Sequence, residues 1–239
     1  RHPITAVGDV TQTTAQKKLG TSSILFDSSG DYLEPQSTSL FDLTSTSQSF
    51  TVEAWIYPTS IASSGPPAYR FTSLISKGQV YVSFGYESDG TIKFYTFDGG
   101  ATYRETSSGI IQTSVWQHIA LVSNGGTLAV YYNGVSQSLD STSLVLPDQT
   151  AGLGTGVDPR IGNADATAAP DAFIGYMDEY RISDSARYTT TFTPSTTAFT
   201  ADANTKLLIH SNWDGGLGAD SSGNYNTFTA TNLVATDQM

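Results

Sequence analysis

The stretch Val115–Ser136, VWQHIALVSNGGTLAVYYNGVS, constrains the fold more than any other part of the chain. Trp116 to Val122 is rich in aromatic and branched apolar residues, and Leu128 to Tyr132 alternates, with Leu128, Val130 and Tyr132 on one face and Ala129 and Tyr131 on the other. Between them Asn124-Gly125-Gly126 supplies the positive φ angles of a tight hairpin, and Asn133-Gly134 opens the next turn. A side-chain period of two, cut by glycine corners, predicts the middle of an antiparallel sheet with both edges still to be paired.

The same rhythm recurs along the chain. Phe50, Val52, Ala54 and Ile56 point one way and Thr51, Glu53, Trp55 and Tyr57 the other, with Pro58 as the stop. Strands are expected at Ile4–Val10, Ser23–Asp27, Asp31–Leu33, Phe71–Lys77, Val80–Tyr86, Thr91–Phe97, Ser136–Leu146, around Arg160-Ile161, at Ala172–Ile182 and at Lys206–His210. Thr11–Gly20 and the stretch around Gly65-Pro66-Pro67 read as loops, and Ser183–Tyr188 as a single helical turn. No segment sustains a 3.6-residue period. Many short strands with glycine turns predict an all-β, two-sheet antiparallel sandwich. The 239 residues fit one such domain at 1–200, followed by an extension at 201–239 that either returns a strand to the sandwich or begins a following module. A short likeness supports the second option: Ile4-Thr5-Ala6-Val7-Gly8-Asp9-Val10 matches Phe228-Thr229-Ala230-Thr231-Asn232-Leu233-Val234 at three of seven positions. The opening Arg1-His2-Pro3 reads as the start of a fragment.

Composition excludes some functions. A net charge of -11 and the lack of any Lys/Arg cluster argue against nucleic acid and anionic membranes as partners. There are no cysteines, hence no disulfides and no thiolate metal site. No apolar run approaches the roughly 18 residues of a membrane span. Charged residues are 14% of the chain, so Ser, Thr, Gly and Asn do most of the solvating, as suits a secreted or particle-surface protein.

Together the strand motifs resemble a known family. Ser23-Ile24-Leu25-Phe26-Asp27 through Leu33, Phe50–Ile56, Trp116–Val122 with Tyr132-Asn133-Gly134, and Gly175-Tyr176-Met177-Asp178-Glu179-Tyr180-Arg181-Ile182 are similar in order and spacing to laminin G-like, concanavalin A-like jelly rolls. The succession Arg187-Tyr188, Phe192-Thr193-Pro194, Leu207-Leu208-Ile209-His210 and Asp220–Asn224 resembles such regions in tail-fibre or appendage proteins of bacterial viruses. The resemblance implies a jelly-roll sandwich on a virion surface or otherwise extracellular. It also implies an attachment role, with host or environmental polysaccharide, other virion chains or self-association as partners. The alternatives are a purely structural fibre or decoration domain, and a carbohydrate-binding appendage of a secreted bacterial protein.

Candidate sites follow from residue chemistry. Catalytic relatives of this fold carry Glu-x-Asp-x-x-Glu on one strand face; here the acidic strand reads Asp178-Glu179-Tyr180-Arg181, and neighbours in a strand face opposite ways. Glu53 lacks an acidic partner at i+2 or i+4, His118 lies inside a strand, and no catalytic constellation is expected. For sugar stacking the candidates are Trp55, Tyr57, Tyr81, Tyr95 and Phe97 on strands, with Tyr69, Arg70, Tyr103 and Arg104 as loop donors; of these Trp55, Tyr81, Tyr95, Tyr103 and Arg104 are taken as the carbohydrate site. Calcium is the metal that suits an all-oxygen donor set, and the resemblance implies Asp31 and Asp178 as its carboxylates.

Overall fold

In a computed structural model the described residues are 4–27, 30–37, 39–61, 72–77, 82–97, 101–140, 158–164, 172–212, 220–223 and 228–230. They contain sixteen strands and no helix. In chain order these are β1 (Ile4–Val7), β2 (Thr11–Thr13), β3 (Ser23–Phe26), β4 (Tyr32–Pro35), β5 (Phe50–Pro58), β6 (Thr72–Lys77), β7 (Val82–Tyr86), β8 (Ile92–Phe97), β9 (Ala101–Glu105), β10 (Gln117–Asn124), β11 (Thr127–Tyr132), β12 (Val135–Gln137), β13 (Pro159–Ile161), β14 (Gly175–Ser183), β15 (Thr205–Ile209) and β16 (Phe228–Ala230).

The strands form two sheets. The first has the order β16-β1-β4-β13-β6-β7-β8-β9; the second has β12-β11-β10-β5-β14-β3-β2, with β15 also paired to β14. Every ladder is antiparallel except that of β1 with β16. The fold is thus the expected concanavalin A-like jelly-roll sandwich. The central hairpin forms where the sequence places it, with Ile119 opposite Tyr132 and Asn124 opposite Thr127, so that the turn is Gly125-Gly126 alone. Strand β5 lies against β10, Ile119 opposite Ala54 and Leu121 opposite Val52.

The apolar halves of the alternating strands meet between the sheets. Phe50, Val52, Ala54 and Ile56 of β5, Ile119 and Leu121 of β10, and Ile24 and Phe26 of β3 pack with Val82, Phe84 and Tyr86 of β7 and Ile92 and Phe94 of β8. Hydrophobic burial on this scale is the main force holding the layers together.

Four sequence expectations change. Ser183–Tyr188 contains no helical turn: β14 runs to Ser183, and the chain then becomes an irregular strap. Thr11–Thr13 is a short edge strand rather than loop, since its ladder to β3 satisfies the backbone. Tyr103 and Arg104 lie in β9, paired to β8, and not in a loop. Of the expected Ser136–Leu146 strand, only Val135–Gln137 is strand; Leu139 and Asp140 are irregular, and 141–146 lie outside the described residues.

The strap, residues 184–204, lies across the outer face of the second sheet. Ala186, Tyr188 and Phe192 pack on Ala120, Val122 and Tyr131. Phe199 is buried with Trp55 and Leu208, and Ala201 packs against that group. Thr51 stitches its start, donating to the Ser185 carbonyl at 2.7 Å and accepting from the Arg187 N–H at 3.0 Å. Gly134 receives its middle: the Phe192 N–H donates to the Gly134 carbonyl at 2.9 Å, and a Cβ on Gly134 would lie 1.9 Å from the Phe192 oxygen.

Two turn glycines therefore separate turn strain from strap seating. Gly125 (φ +57°) has open space where a Cβ would go; Gly134 (φ +79°) does not. In urea unfolding Gly125→Ala is expected to cost about 1 kcal/mol, the strain of a left-handed residue. Gly134→Ala should cost about 1–3 kcal/mol more, because the strap must also move.

Candidate functional site

The outer face of the second sheet has two halves. Under the strap lies a buried polar cluster centred on Glu53. Its Oε1 accepts from Arg181 Nε at 2.7 Å and Nη2 at 2.6 Å; its Oε2 accepts from the Tyr188 hydroxyl at 2.7 Å and lies 3.2 Å from His118 Nε2. A carboxylate partner requires the proton on Nε2 of a neutral imidazole. Glu53 and His118 have no exposed side-chain surface. Burial alone would raise the Glu53 carboxyl; His118, Arg181 and Tyr188 together win and hold it below the ordinary range. The Arg181 guanidinium also sits 4.2 Å over the Phe199 ring.

Beside this cluster the sequence expectation for β14 fails. Asp178 is opposite Trp55 and Arg181 opposite Glu53, so two residues of β14, Glu179 and Tyr180, face the single Ala54 of β5. This is a β-bulge, and Glu179 takes φ +52°. Glu179 therefore does not face away from Asp178. Its carboxylate accepts the Phe199 N–H of the strap at 2.7 Å and meets His210 Nδ1 at 2.9 Å. Asp178 accepts the N–H groups of Lys18, Leu19 and Glu179 at 2.9–3.0 Å. Burial and the Glu179 charge push its carboxyl up to about 7 against those donors. The Glu179 carboxylate raises His210. Both carboxylates are fully buried, so this pair lies out of reach of a substrate.

The strap does not reach the other half of the face. Trp116, Tyr57 and Tyr176 are half-buried neighbours across β10, β5 and β14, with ring centroids 5.6 Å and 5.8 Å apart. Cross-strand pairing extends the row from Tyr176 to Leu25 and from Leu25 to Thr11, both also half-buried. The indole N–H of Trp116 is buried and has no hydrogen-bond partner among the described residues, so this side chain offers its ring and not its donor. Such a row combines apolar ring surface with tyrosine hydroxyls, the composition of a carbohydrate-contacting surface.

The residues expected from sequence are dispersed. Trp55 is 6% exposed, sealed between Phe199, Leu208 and the Lys18 ammonium, which lies 3.9 Å from its ring. Tyr95 is 1% exposed in β8. Arg104, opposite Phe94, faces inward at 2% exposed, and desolvation lowers its pKa. Of the five residues taken as the carbohydrate site, Tyr103 alone of those described is at the surface, 44% exposed; Lys93 lies 4.8 Å from its ring and pairs with Glu87 and Glu105, while the wider candidate Tyr57 is half-buried in the aromatic row. Tyr81, Tyr69 and Arg70 lie outside the described residues, as does the Phe97 side chain. Trp116 and Tyr176 were not among the expected residues. Their signal was the face they share with Tyr57, which becomes visible only once β14 is known to lie beside β5.

Asp31 and Asp178 occupy separate hydrogen-bond networks. Asp31 is buried and accepts the N–H groups of Asp9 at 3.1 Å and Asp27 at 2.8 Å. The carboxylates of Asp9, Asp27 and Asp31 converge, one oxygen of each within 4.8 Å of the others. Burial and the neighbouring Asp9 raise the Asp27 pKa. Gly8 leaves the cradle open, since a Cβ there would lie 2.2 Å from Asp31 Oδ1. Convergent, mutually repelling carboxylates fit a hard divalent cation such as calcium.

The buried groups set a pH profile. Glu53, lowered, contributes stability above its unfolded value near 4.5 that is lost as pH falls through its folded value. Asp178 and His210, raised, contribute stability on the acid side; for Asp178 it is lost from 3.8 upward and is gone at about 7, and for His210 the loss begins above 6.5. Thermal melts should therefore peak at about pH 4–5 and decline toward pH 7 as Asp178 ionises, with His210 adding to the loss above about pH 6.5. Asp178→Asn should flatten the decline; an unchanged slope would remove Asp178 from this role.

Residues 27–191, more than half of the chain, match the Laminin_G_3 family model, described as the concanavalin A-like lectin/glucanases superfamily. No curated protein sequence matches. Among solved structures, domain 4 of AbnA, an extracellular arabinanase of Geobacillus stearothermophilus solved with arabinotriose, is 19% identical with a TM-score of 0.52, covering 77% of this chain and 82% of that one. A putative carbohydrate-binding protein of Bacteroides ovatus is 17% identical with a TM-score of 0.50, covering 71% of this chain and 47% of that one. Tailspike protein 2 of an Escherichia coli O157:H7 bacteriophage is 13% identical with a TM-score of 0.53; the alignment covers 77% of this chain but 26% of the tailspike. With the two sheets, the strand motifs and the family match in agreement, the chain belongs to the concanavalin A-like lectin/glucanases superfamily.

Proposed function

We propose that this domain is a non-catalytic glycan-binding module of a larger extracellular or virion-surface protein. The observation that carries the reading is the half-buried row Trp116–Tyr57–Tyr176 on the second sheet, beyond the strap. Pyranose or furanose faces stack on such rings, and the tyrosine hydroxyls supply directional contacts. Tyr103, on the first sheet, is a second contact on the same reasoning. The AbnA domain solved with arabinotriose supports a glycan partner, and the tailspike supports a place on a virion. The burial of Asp178 and Glu179 supports a role without turnover. A spacer domain that recognises nothing remains the competing reading, and the glycan array decides between them.

On an array of plant arabinans and bacterial surface polysaccharides the domain is expected to bind at least one glycan. Tyr57→Ala and Trp116→Ala should each weaken that binding by about tenfold, roughly 1.4 kcal/mol. Empty arrays, or affinities unchanged in both variants and in Tyr103→Ala, would contradict the proposal.

We assign calcium to the Asp9–Asp27–Asp31 cradle as a structural ligand. With a dissociation constant near that of other extracellular modules, about 1 mM, 10 mM calcium should raise Tm by about 3–5 °C. Asp9→Asn should abolish most of the rise. The same rise in wild type and variant would place the ion elsewhere, and no rise would remove it.

A further inference from the structure

The first sheet ends in an arrangement found nowhere else in the described residues. Strand β16 lies parallel to β1, with Ile4 opposite Phe228, Thr5 opposite Thr229 and Ala6 opposite Ala230. These are the two segments whose sequences match. The edge of the sheet is thus bonded to a near copy of itself: an apolar residue, then Thr, then Ala, in register.

Two physical points follow. A sheet edge is a row of backbone donors and acceptors that accepts any strand of suitable sequence, and it does not discriminate between a strand from its own chain and one from another. Among the described residues the chain is last anchored before β16 at 220–222: Asp220 bridges Ile209, the Leu208 N–H donates to Asp220 Oδ1 at 2.9 Å and the Ser221 N–H to the Leu208 carbonyl at 2.7 Å. The three-residue ladder to β1 is the sole strand pairing of β16. An identical ladder forms whether β16 comes from the same chain or from a second one, so exchange sacrifices no hydrogen bond. Domain swapping is a low-cost route to assembly under these conditions.

We propose that the β1 edge is a strand-receiving site through which residues 228–230 of one copy of this chain bind a second copy. The partner is another molecule of the same sequence, and the contact is heterologous: the C-terminal strand of one copy on the first strand of the next. Such a contact closes into a ring or runs on as a chain of copies. It does not depend on the glycan reading.

Cysteine pairing tests it directly, because the chain has no native cysteine. Thr5 and Thr229 are Cα partners in adjacent strands. Neighbouring strands lie about 4.8 Å apart, within disulfide range. Full-length Thr5→Cys and Thr229→Cys chains are mixed and oxidised; a second mixture pairs Thr5→Cys with Val135→Cys, whose cysteine lies on the other sheet. A disulfide-linked heterodimer in the first mixture and none in the second is the expected result. The double variant Thr5→Cys/Thr229→Cys should give a ladder of linked species that lengthens with protein concentration. If the double variant closes only on itself and the mixtures do not differ, the strand stays in its own chain and the proposal fails. If neither preparation crosslinks, β16 does not occupy the β1 edge and the proposal fails as well.

Discussion

Glu53 is a carboxylate with no exposed surface on the outer side of a sheet, where a side chain would ordinarily meet water. A lone buried charge costs several kcal/mol, so its position is tenable only because Arg181, Tyr188 and His118 surround it. Those partners come from three places: a neighbouring strand on each side, β14 and β10, and the strap above. The carboxylate therefore ties the sheet to the segment that covers it. Removing one partner of such a cluster costs about 3–5 kcal/mol, far more than a surface pair.

The bulge in β14 makes the same point in the backbone. A regular strand would turn Glu179 into the apolar core. By accepting a left-handed conformation there, the chain carries Glu179 to the strap side, where it accepts the Phe199 N–H and pairs with His210. Tyr180 then takes the core position. Arg187 completes the closure from the strap itself, gripping Asp202 with two hydrogen bonds of 2.8 and 3.0 Å and holding that carboxyl well below its usual range. The face divides as a result: one half is sealed by the strap, and the other keeps Trp116, Tyr57 and Tyr176 within reach of solvent. A binding surface on this sheet has to lie on the second half.

Much of this architecture is legible in the chain. The glycine-bounded two-residue rhythm locates most strands to within two residues, and the hairpin within Val115–Ser136 is found from its glycine turns. Strand β9 was hidden because Ala101-Thr102-Tyr103-Arg104-Glu105 carries little apolar alternation and is held by its ladder to β8. Strands β2 and β16 are three residues long, too short for any pattern to register. The aromatic candidates fared worse for a different reason. Alternation says that Trp55 and Tyr57 share a face, yet one is sealed under the strap and the other is not. That distinction depends on contacts about 140 residues away in sequence, beyond any local pattern. The likeness between residues 4–10 and 228–234 shows the reverse case: a faint signal that acquires meaning once its first three positions are seen paired.

If Glu53 is what fixes the strap, the strap should share the stability of the sheet below it. Native-state hydrogen exchange at the Phe192 and Phe199 amides measures this. In the wild-type chain both should be protected to nearly the same free energy as the amides of the β5–β10 ladder. In Glu53→Gln the strap amides should exchange faster while the β3 and β7 amides hold. Strap amides that already exchange at loop rates in the wild type, or that are indifferent to the substitution, would contradict the account.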